Sequence, residues 1–188
     1  MLSLIRSAFR SIAECLLPDL RRSTILLSSS FFSSMKRGCP MGHHQLLYHI
    51  VFSVKERRQL LIDKVRDDVF SYMAGVANNL GGHALNVNGF YDHAHILARI
   101  PTKVCVGEFV GRIKSNTSKH INENKWLTRK FYWQDGYGAF TVSSSMCQAV
   151  YDYIDNQMRH HSKRSFEDEY LAMLKNHGIE YDPRYVFD

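Results

Sequence analysis

The spacing of apolar positions changes period several times along the chain, and each change predicts an element. From Leu46 to Val54 the run Leu-Leu-Tyr-His-Ile-Val-Phe-Ser-Val is apolar and rich in β-formers, which predicts a first strand. Val65, Val69, Met73, Val76 and Leu80 then recur at three- and four-residue steps. That period predicts an amphipathic helix, opened by Asp63 as N-cap and ended at Gly81-Gly82. Ala84 to Tyr91 and His93 to Ile100 read as two further strands with Tyr91-Asp92 as the turn, and Pro101 stops the second of them.

A second helix is predicted from Val106 to Asn124, with Phe109, Ile113, Thr117 and Ile121 on one face. Phe131 to Gln134 and Ala139 to Val142 read as short strands around the Gly136-Tyr137-Gly138 loop. Ser143 to Ser145 offer N-caps for a third helix over Met146 to His161. Ser165 and Asp168 form a capping box for a last helix ending near Gly178, and residues 179–188 read as a packed tail. The resulting order predicts an α+β fold of the ferredoxin-like (RRM-like) kind, an antiparallel sheet with helices packed on one face.

Composition changes this picture little. Apolar residues make up 45% of 188, enough for a core, and no run of eighteen apolar residues predicts a membrane span. The net charge of +6 suggests nucleic acid, but residues 1–40 carry +4 of it and the other 148 only +2. Bulk basicity is therefore no argument; a local patch would be. Cys15, Cys39, Cys105 and Cys147 form no CxxC pair and show no zinc spacing, which fits reduced thiols in a cytoplasmic protein. Residues 1–40, serine- and arginine-rich without a histidine, read as a leader to a single domain over 41–188. A disordered or organelle-type leader fits, as does a start assigned too early, with the working chain beginning at Met35 or Met41. The periodic pattern beginning just after Met41 favours the second.

The candidate chemistry lies on one strand and one helix. His93 and His95 are two apart on a strand, so both imidazoles project from the same face and could reach one divalent ion. With ten histidines in the chain, an H-x-H also arises by chance. Tyr153 and Gln157 are four apart and share a helical face, and an amide oxygen suits a hard ion such as Mg²⁺ or Mn²⁺. Packing of the Tyr153 ring on the sheet satisfies the same spacing.

If the two pairs meet, they fit one reaction. Two imidazoles and an amide leave coordination positions open for phosphate oxygens, unlike a closed structural zinc site. A phenol with pKa near 10 is about one part in a thousand ionised at pH 7, a penalty of roughly 4 kcal/mol. An adjacent cation offsets part of it, and the product is a covalent phosphotyrosine that permits rejoining without ATP.

Four ordered blocks carry a resemblance: Leu47-Tyr-His-Ile-Val-Phe-Ser-Val54, Asp92-His-Ala-His-Ile-Leu97, Trp133-Gln-Asp-Gly-Tyr-Gly-Ala-Phe140 and Tyr153-Ile-Asp-Asn-Gln157, with Glu167 to Tyr185 also matching. Over about Gln45 to Phe187 the chain resembles the single-tyrosine HUH transposases of small bacterial insertion sequences, IS200-like and including relatives associated with repetitive extragenic palindromes. The resemblance implies the HUH nuclease fold. It places the H-U-H motif on His93-Ala94-His95, the nucleophile on Tyr153 and the glutamine ligand on Gln157. It implies Mg²⁺ or Mn²⁺, single-stranded DNA with hairpins as substrate, a homodimer, and a cytoplasmic, nucleoid-associated protein that forms a 5′-phosphotyrosine during transposition.

Lys55, Arg57 and Arg58 after the first strand, and Arg112, Lys114 and Lys119 on the second helix, are the candidates for DNA contacts. Trp133, Tyr137 and Phe140 fit core packing better than base stacking, and His160, His161, Lys163 and Arg164 fit backbone-phosphate contacts or a helix C-terminus. A host-retained hairpin-binding protein without active transposition, and a hydrolase using metal-bound water, are the alternative functions.

Overall fold

The structure, a computed structural model, describes residues 43–161 and 165–187. Four strands form one antiparallel sheet: β1 (Leu47–Ser53), β2 (His83–Gly89), β3 (His93–Arg99) and β4 (Gly138–Thr141), ordered β2-β3-β1-β4. Helix α1 (Asp63–Asn79) connects β1 to β2, and α2 (Val106–Glu123) connects β3 to β4. This is the βαββαβ order of a ferredoxin-like sheet, as expected. Helices α3 (Cys147–Asp155), α4 (Gln157–His160) and α5 (Phe166–Asn176) follow.

The period of two divides the central strands between two layers. Ile50 and Phe52 of β1, with Ala94, Ile96 and Ala98 of β3, bury against Val69, Met73, Phe109, Val110 and Ile113 of α1 and α2. The predicted α2 face is buried throughout, at Phe109, Ile113, Thr117 and Ile121. Each fully buried large side chain there contributes ~1.5–3 kcal/mol. Helix α1 is capped by no side chain: Asp63 is its first residue rather than its N-cap. Gly81, at φ 80°, makes the left-handed turn that releases the chain into β2.

The helices expected on one face of the sheet are α1 and α2. Beyond that expectation, the short C-terminal helices cover the other face. Leu47 and Leu97 pack with Ile154 of α3, while Val51 and Phe140 pack with Phe166 and Leu174 of α5. Val186 and Phe187 of the tail join the second of these clusters, whereas Ile179, Tyr181 and Tyr185 are exposed, so the tail packs through those two residues rather than along its length.

Two predicted elements differ. Residues 131–134 form no strand, only a bridge between Trp133 and Val54. They run alongside the end of β1, with the Lys55 amide donating to Tyr132 O (2.9 Å) and the Gln134 amide to Ser53 O (2.9 Å). The helix predicted over Met146 to His161 is interrupted at Asn156. There the Asn156 side-chain amide donates to Asp152 O at 2.7 Å, competing for a carbonyl that would otherwise serve the helix alone. The leader expected over residues 1–40, with Cys15 and Cys39, lies outside the described residues, as do Lys163 and Arg164. Cys105 is a free thiol.

Candidate functional site

His93 and His95 stand on the α3–α5 face of β3, both fully buried. Each ring is held through Nδ1. His93 Nδ1 donates to Asp92 Oδ1 at 2.7 Å, and Asp92 Oδ2 accepts from Arg57 Nε (3.0 Å) and Nη2 (2.8 Å). His95 Nδ1 meets Nε2 of His49, from β1, at 2.9 Å. With both Nδ1 atoms engaged, both Nε2 atoms face the space between β3 and the C-terminal helices, the arrangement that fixes tautomer and orientation in metal-binding histidines.

The tyrosine helix is held over that face by the edge strand. Asn86 and Asn88, two apart on β2, donate through their side-chain amides to Tyr151 O (3.1 Å) and Asp155 O (3.0 Å). Tyr153 lies between these anchors, with its ring 6.0 Å from those of His49 and His95. Gln157, fully buried, places Oε1 3.4 Å from His93 Nε2 and donates through Nε2 to Glu169 Oε1 at 3.1 Å. The imidazole pair and the phenol–amide pair thus converge within a single chain.

At their centre is Glu169 of α5, 1% exposed, a residue the sequence reading missed. Its Oε1 accepts from the Tyr153 hydroxyl. Its Oε2 lies 3.0 Å from His161 Nε2, 3.6 Å from His95 Nε2 and 3.8 Å from His93 Nε2. A signal was available: Phe166, Glu169, Tyr170 and Leu174 follow the helical period of an inward stripe, so Glu169 puts a carboxylate on an apolar face. The adjacent Glu167 and Asp168 disguise it as part of the acidic first turn that favours a helix dipole.

Burial and hydrogen bonding set the protonation states. Burial pushes the His93 imidazole down to about 4 against the pull of Asp92, and pushes His49 down to about 3, so both are neutral at pH 7. Burial raises the Glu169 carboxyl, but His161, His95 and Tyr153 outweigh it and hold it far below the carboxylate range. Burial likewise raises Asp92, and His93 and Arg57 outweigh it.

These residues fit a divalent ion. Among the described residues His95 Nε2 is buried without a hydrogen-bond partner, an arrangement that otherwise costs free energy. With His93 Nδ1 donating, its Nε2 is an acceptor facing the acceptor Oε1 of Gln157, and a cation satisfies both. Metal bonds of about 2.1 Å give donor–donor edges of roughly 3.0 Å in an octahedron and 3.4 Å in a tetrahedron. The donor atoms of His93, His95, His161 and Glu169 all lie within 4.8 Å of one another.

The basic candidates divide. Arg57, at φ 54°, turns inward onto Asp92, also pairs with Glu167, and lies 4.5 Å over the Phe166 ring. Lys114 donates to the carbonyls of Gln134, Asp135 (2.9 Å) and Gly136 (3.0 Å), bracing the loop before β4. Arg112 and Lys119 are exposed and pair along α2 with Glu108 (2.9 Å) and Glu123 (3.8 Å). Lys55 and Arg58 line an open cavity of about 330 Å³ with Glu56, Arg129, Lys130 and half-exposed Tyr132. Trp133 and Phe140 are buried as core, whereas Tyr137 is 40% exposed.

A family model described as "Transposase IS200 like" matches residues 43–157. The transposase for insertion sequence element IS200 of Salmonella typhimurium is 32% identical over 117 residues, 59% of this chain and 76% of the relative. The ISDra2 transposase TnpA of Deinococcus radiodurans is 26% identical over 131 residues, 65% of this chain and 91% of the relative. Among solved structures, a Deinococcus radiodurans protein described as a transposase superposes with a TM-score of 0.53 at 24% identity, covering 65% of this chain and 98% of its own. At that identity the likeness is one of fold. Among the described residues no helix is long and apolar enough to cross a membrane.

Proposed function

The chain belongs to the IS200-like transposase family, and we propose that it cuts and rejoins single-stranded DNA with Tyr153 as nucleophile and His93, His95 and Gln157 as ligands of Mg²⁺ or Mn²⁺. The observation that supports this reading is the approach of the Tyr153 ring, its hydroxyl on Glu169, and of the Gln157 amide to a buried imidazole pair inside one chain. Such an ion would supply electrostatic stabilisation of charge developing on a scissile phosphate.

The chain's own residues do the rest. Asp92 holds the His93 imidazole in the ligand tautomer, and His49 orients that of His95. Asn86 and Asn88 fix the backbone on either side of Tyr153, so the phenol oxygen is aimed before DNA arrives. That oxygen attacks phosphorus and forms the O–P bond of a 5′-phosphotyrosine. The phenol proton passes to Glu169 Oε1 as the bond forms, and the 3′ oxygen leaves with the bonding pair and takes a proton from water. Attack by a 3′ hydroxyl on the phosphotyrosine reverses the step and rejoins the strand.

Hairpin-bearing ends as substrate, and a homodimer acting on them, are part of this reading. For backbone phosphates the better surface is the cavity lined by Lys55, Arg58, Arg129 and Lys130, with Tyr132 as a platform for a base. Incubation with hairpin-bearing single-stranded DNA and Mn²⁺ should give a denaturant-resistant adduct that Tyr153→Phe abolishes. Binding without an adduct would indicate a hairpin-binding protein, and cleavage persisting in Tyr153→Phe a hydrolase.

A further inference from the structure

Both His161 and Glu169 lie beyond residue 157, where the family match ends. From the reading that this site holds a divalent ion, we infer that His161 and Glu169 bind that ion directly, converting a two-histidine site into a centre of three imidazoles and one carboxylate. Such a donor set takes a borderline transition ion such as Mn²⁺ or Zn²⁺ in preference to Mg²⁺.

Three features carry this. The first is reach: Glu169 Oε2 stands 3.0, 3.6 and 3.8 Å from the Nε2 atoms of His161, His95 and His93. These spacings bracket the donor–donor edges of a coordination polyhedron with bonds of about 2.1 Å, and two of the three are too long for hydrogen bonds. The second is charge. A carboxylate 1% exposed needs a counter-charge, and among the described residues the ion-pair partners of Glu169 are imidazoles. The third is division of labour between the two oxygens. Oε1 accepts from Tyr153 and from Gln157 Nε2, which leaves Oε2 turned toward the three imidazoles. One side chain therefore links the nucleophile to the ion.

The preference between ions follows from ligand type. Mg²⁺ keeps several waters and favours oxygen donors, whereas imidazole-rich sites with few oxygens suit Mn²⁺, Zn²⁺ and their neighbours. Gln157 Oε1, 3.4 Å from His93 Nε2, remains within reach as a further ligand.

The metal-free full chain, titrated with Mn²⁺ while the free ion is followed by electron paramagnetic resonance, tests the inference without reference to activity. Glu169→Gln and His161→Asn should each weaken Mn²⁺ binding more than ~100-fold, beyond the 10–100-fold that loss of an outer partner costs. Circular dichroism should show both folded, and if one variant unfolds, the other decides. In wild type, a roughly hundredfold excess of Mg²⁺ should not displace the bound Mn²⁺. A loss smaller than ~100-fold in a folded variant, or ready displacement by Mg²⁺, would overturn the inference. Were wild type to form the DNA adduct with Mn²⁺ while folded Glu169→Gln bound the ion undiminished, this inference would fall and the metal-dependent reading beneath it would stand. Were wild type to bind no divalent ion at all, this inference and the metal-dependent reading beneath it would fall together.

Discussion

Replacing Arg57 with methionine separates two roles that predict opposite results. As a surface cation after β1, Arg57 would contact DNA phosphate, and its loss would weaken binding while leaving stability unchanged. In the structure it instead gives two hydrogen bonds to the nearly buried Asp92 carboxylate, which holds His93. Breaking a buried charge pair from one side costs ~3–5 kcal/mol. The Arg57 side chain is 24% exposed and that of Asp92 9%, so solvent screening reduces this to about 2–3 kcal/mol. For a chain of this size each kcal/mol lowers Tm by about 2–4 °C, which predicts a drop of roughly 5–10 °C by calorimetry. Asp92→Asn removes the charge left stranded, so the double variant should be more stable than the sum of the two losses implies. The salt dependence of single-stranded DNA binding should keep its slope, whereas losing one phosphate contact would reduce it by about 0.7. A melting temperature within 2 °C of wild type, together with that reduced slope, would refute the internal role.

Acidification should destabilise the metal-free protein before its carboxylates titrate. His49 and His93 are depressed from 6.5 to about 3 and about 4, so their contribution is complete above pH 6.5 and is lost as pH falls toward 4. At ~1.4 kcal/mol per unit for each group, the loss is on the order of 5 kcal/mol, and a urea midpoint flat from pH 7 to 5 would contradict it. Gly89→Ala places a Cβ 2.2 Å from His93 O and 2.9 Å from Ala94 Cα, both backbone neighbours that cannot step aside. It should cost at least ~3 kcal/mol in denaturant unfolding, and an unchanged midpoint would show that the β2–β3 turn is looser than this. Replacing Asn86 and Asn88 together with alanine should leave the sheet folded but slow adduct formation about tenfold or more, because the backbone flanking Tyr153 is released. Equal rates in a gel assay would mean that the tyrosine helix is positioned by packing alone.

What the chain discloses about itself follows the range of each physical rule. The period of two correctly puts His93 and His95 side by side, and the period of 3.6 identifies the buried face of α2, because both rules act over a few residues. The same local rule reads through Asn156 as helix, since the competition of its side chain for Asp152 O depends on geometry rather than spacing. Glu169 is harder still. It meets His93 and His95 across more than seventy residues of chain, and within its own segment it looks like one of three acids at a helix start. Arg57 fails for the complementary reason: basic residues after a strand suggest a solvent-facing patch, and only the left-handed turn at residue 57 sends its guanidinium back over Asp92.

Local rules therefore find the residues that a motif places next to each other, and miss those that arrive from elsewhere to orient or charge-balance them. In this fold the latter come from two places. One is the turn after β1, which supplies Arg57 to Asp92 and so fixes His93. The other is the C-terminal layer over the second face of the sheet, which supplies His161 and Glu169. Because α5 brings Glu169 to both the phenol and the imidazoles, docking of that helix and completion of the site are a single structural event. A variant that loosens α5 from the sheet, such as Phe166→Ala at the Arg57 contact, should therefore lower metal affinity and adduct formation together, although Phe166 is neither a proposed ligand nor the proposed nucleophile. Truncating a buried phenylalanine costs ~3–5 kcal/mol, so the comparison belongs at a temperature where circular dichroism still shows the sheet intact. Metal affinity unchanged under those conditions would mean that the site forms independently of its C-terminal cover.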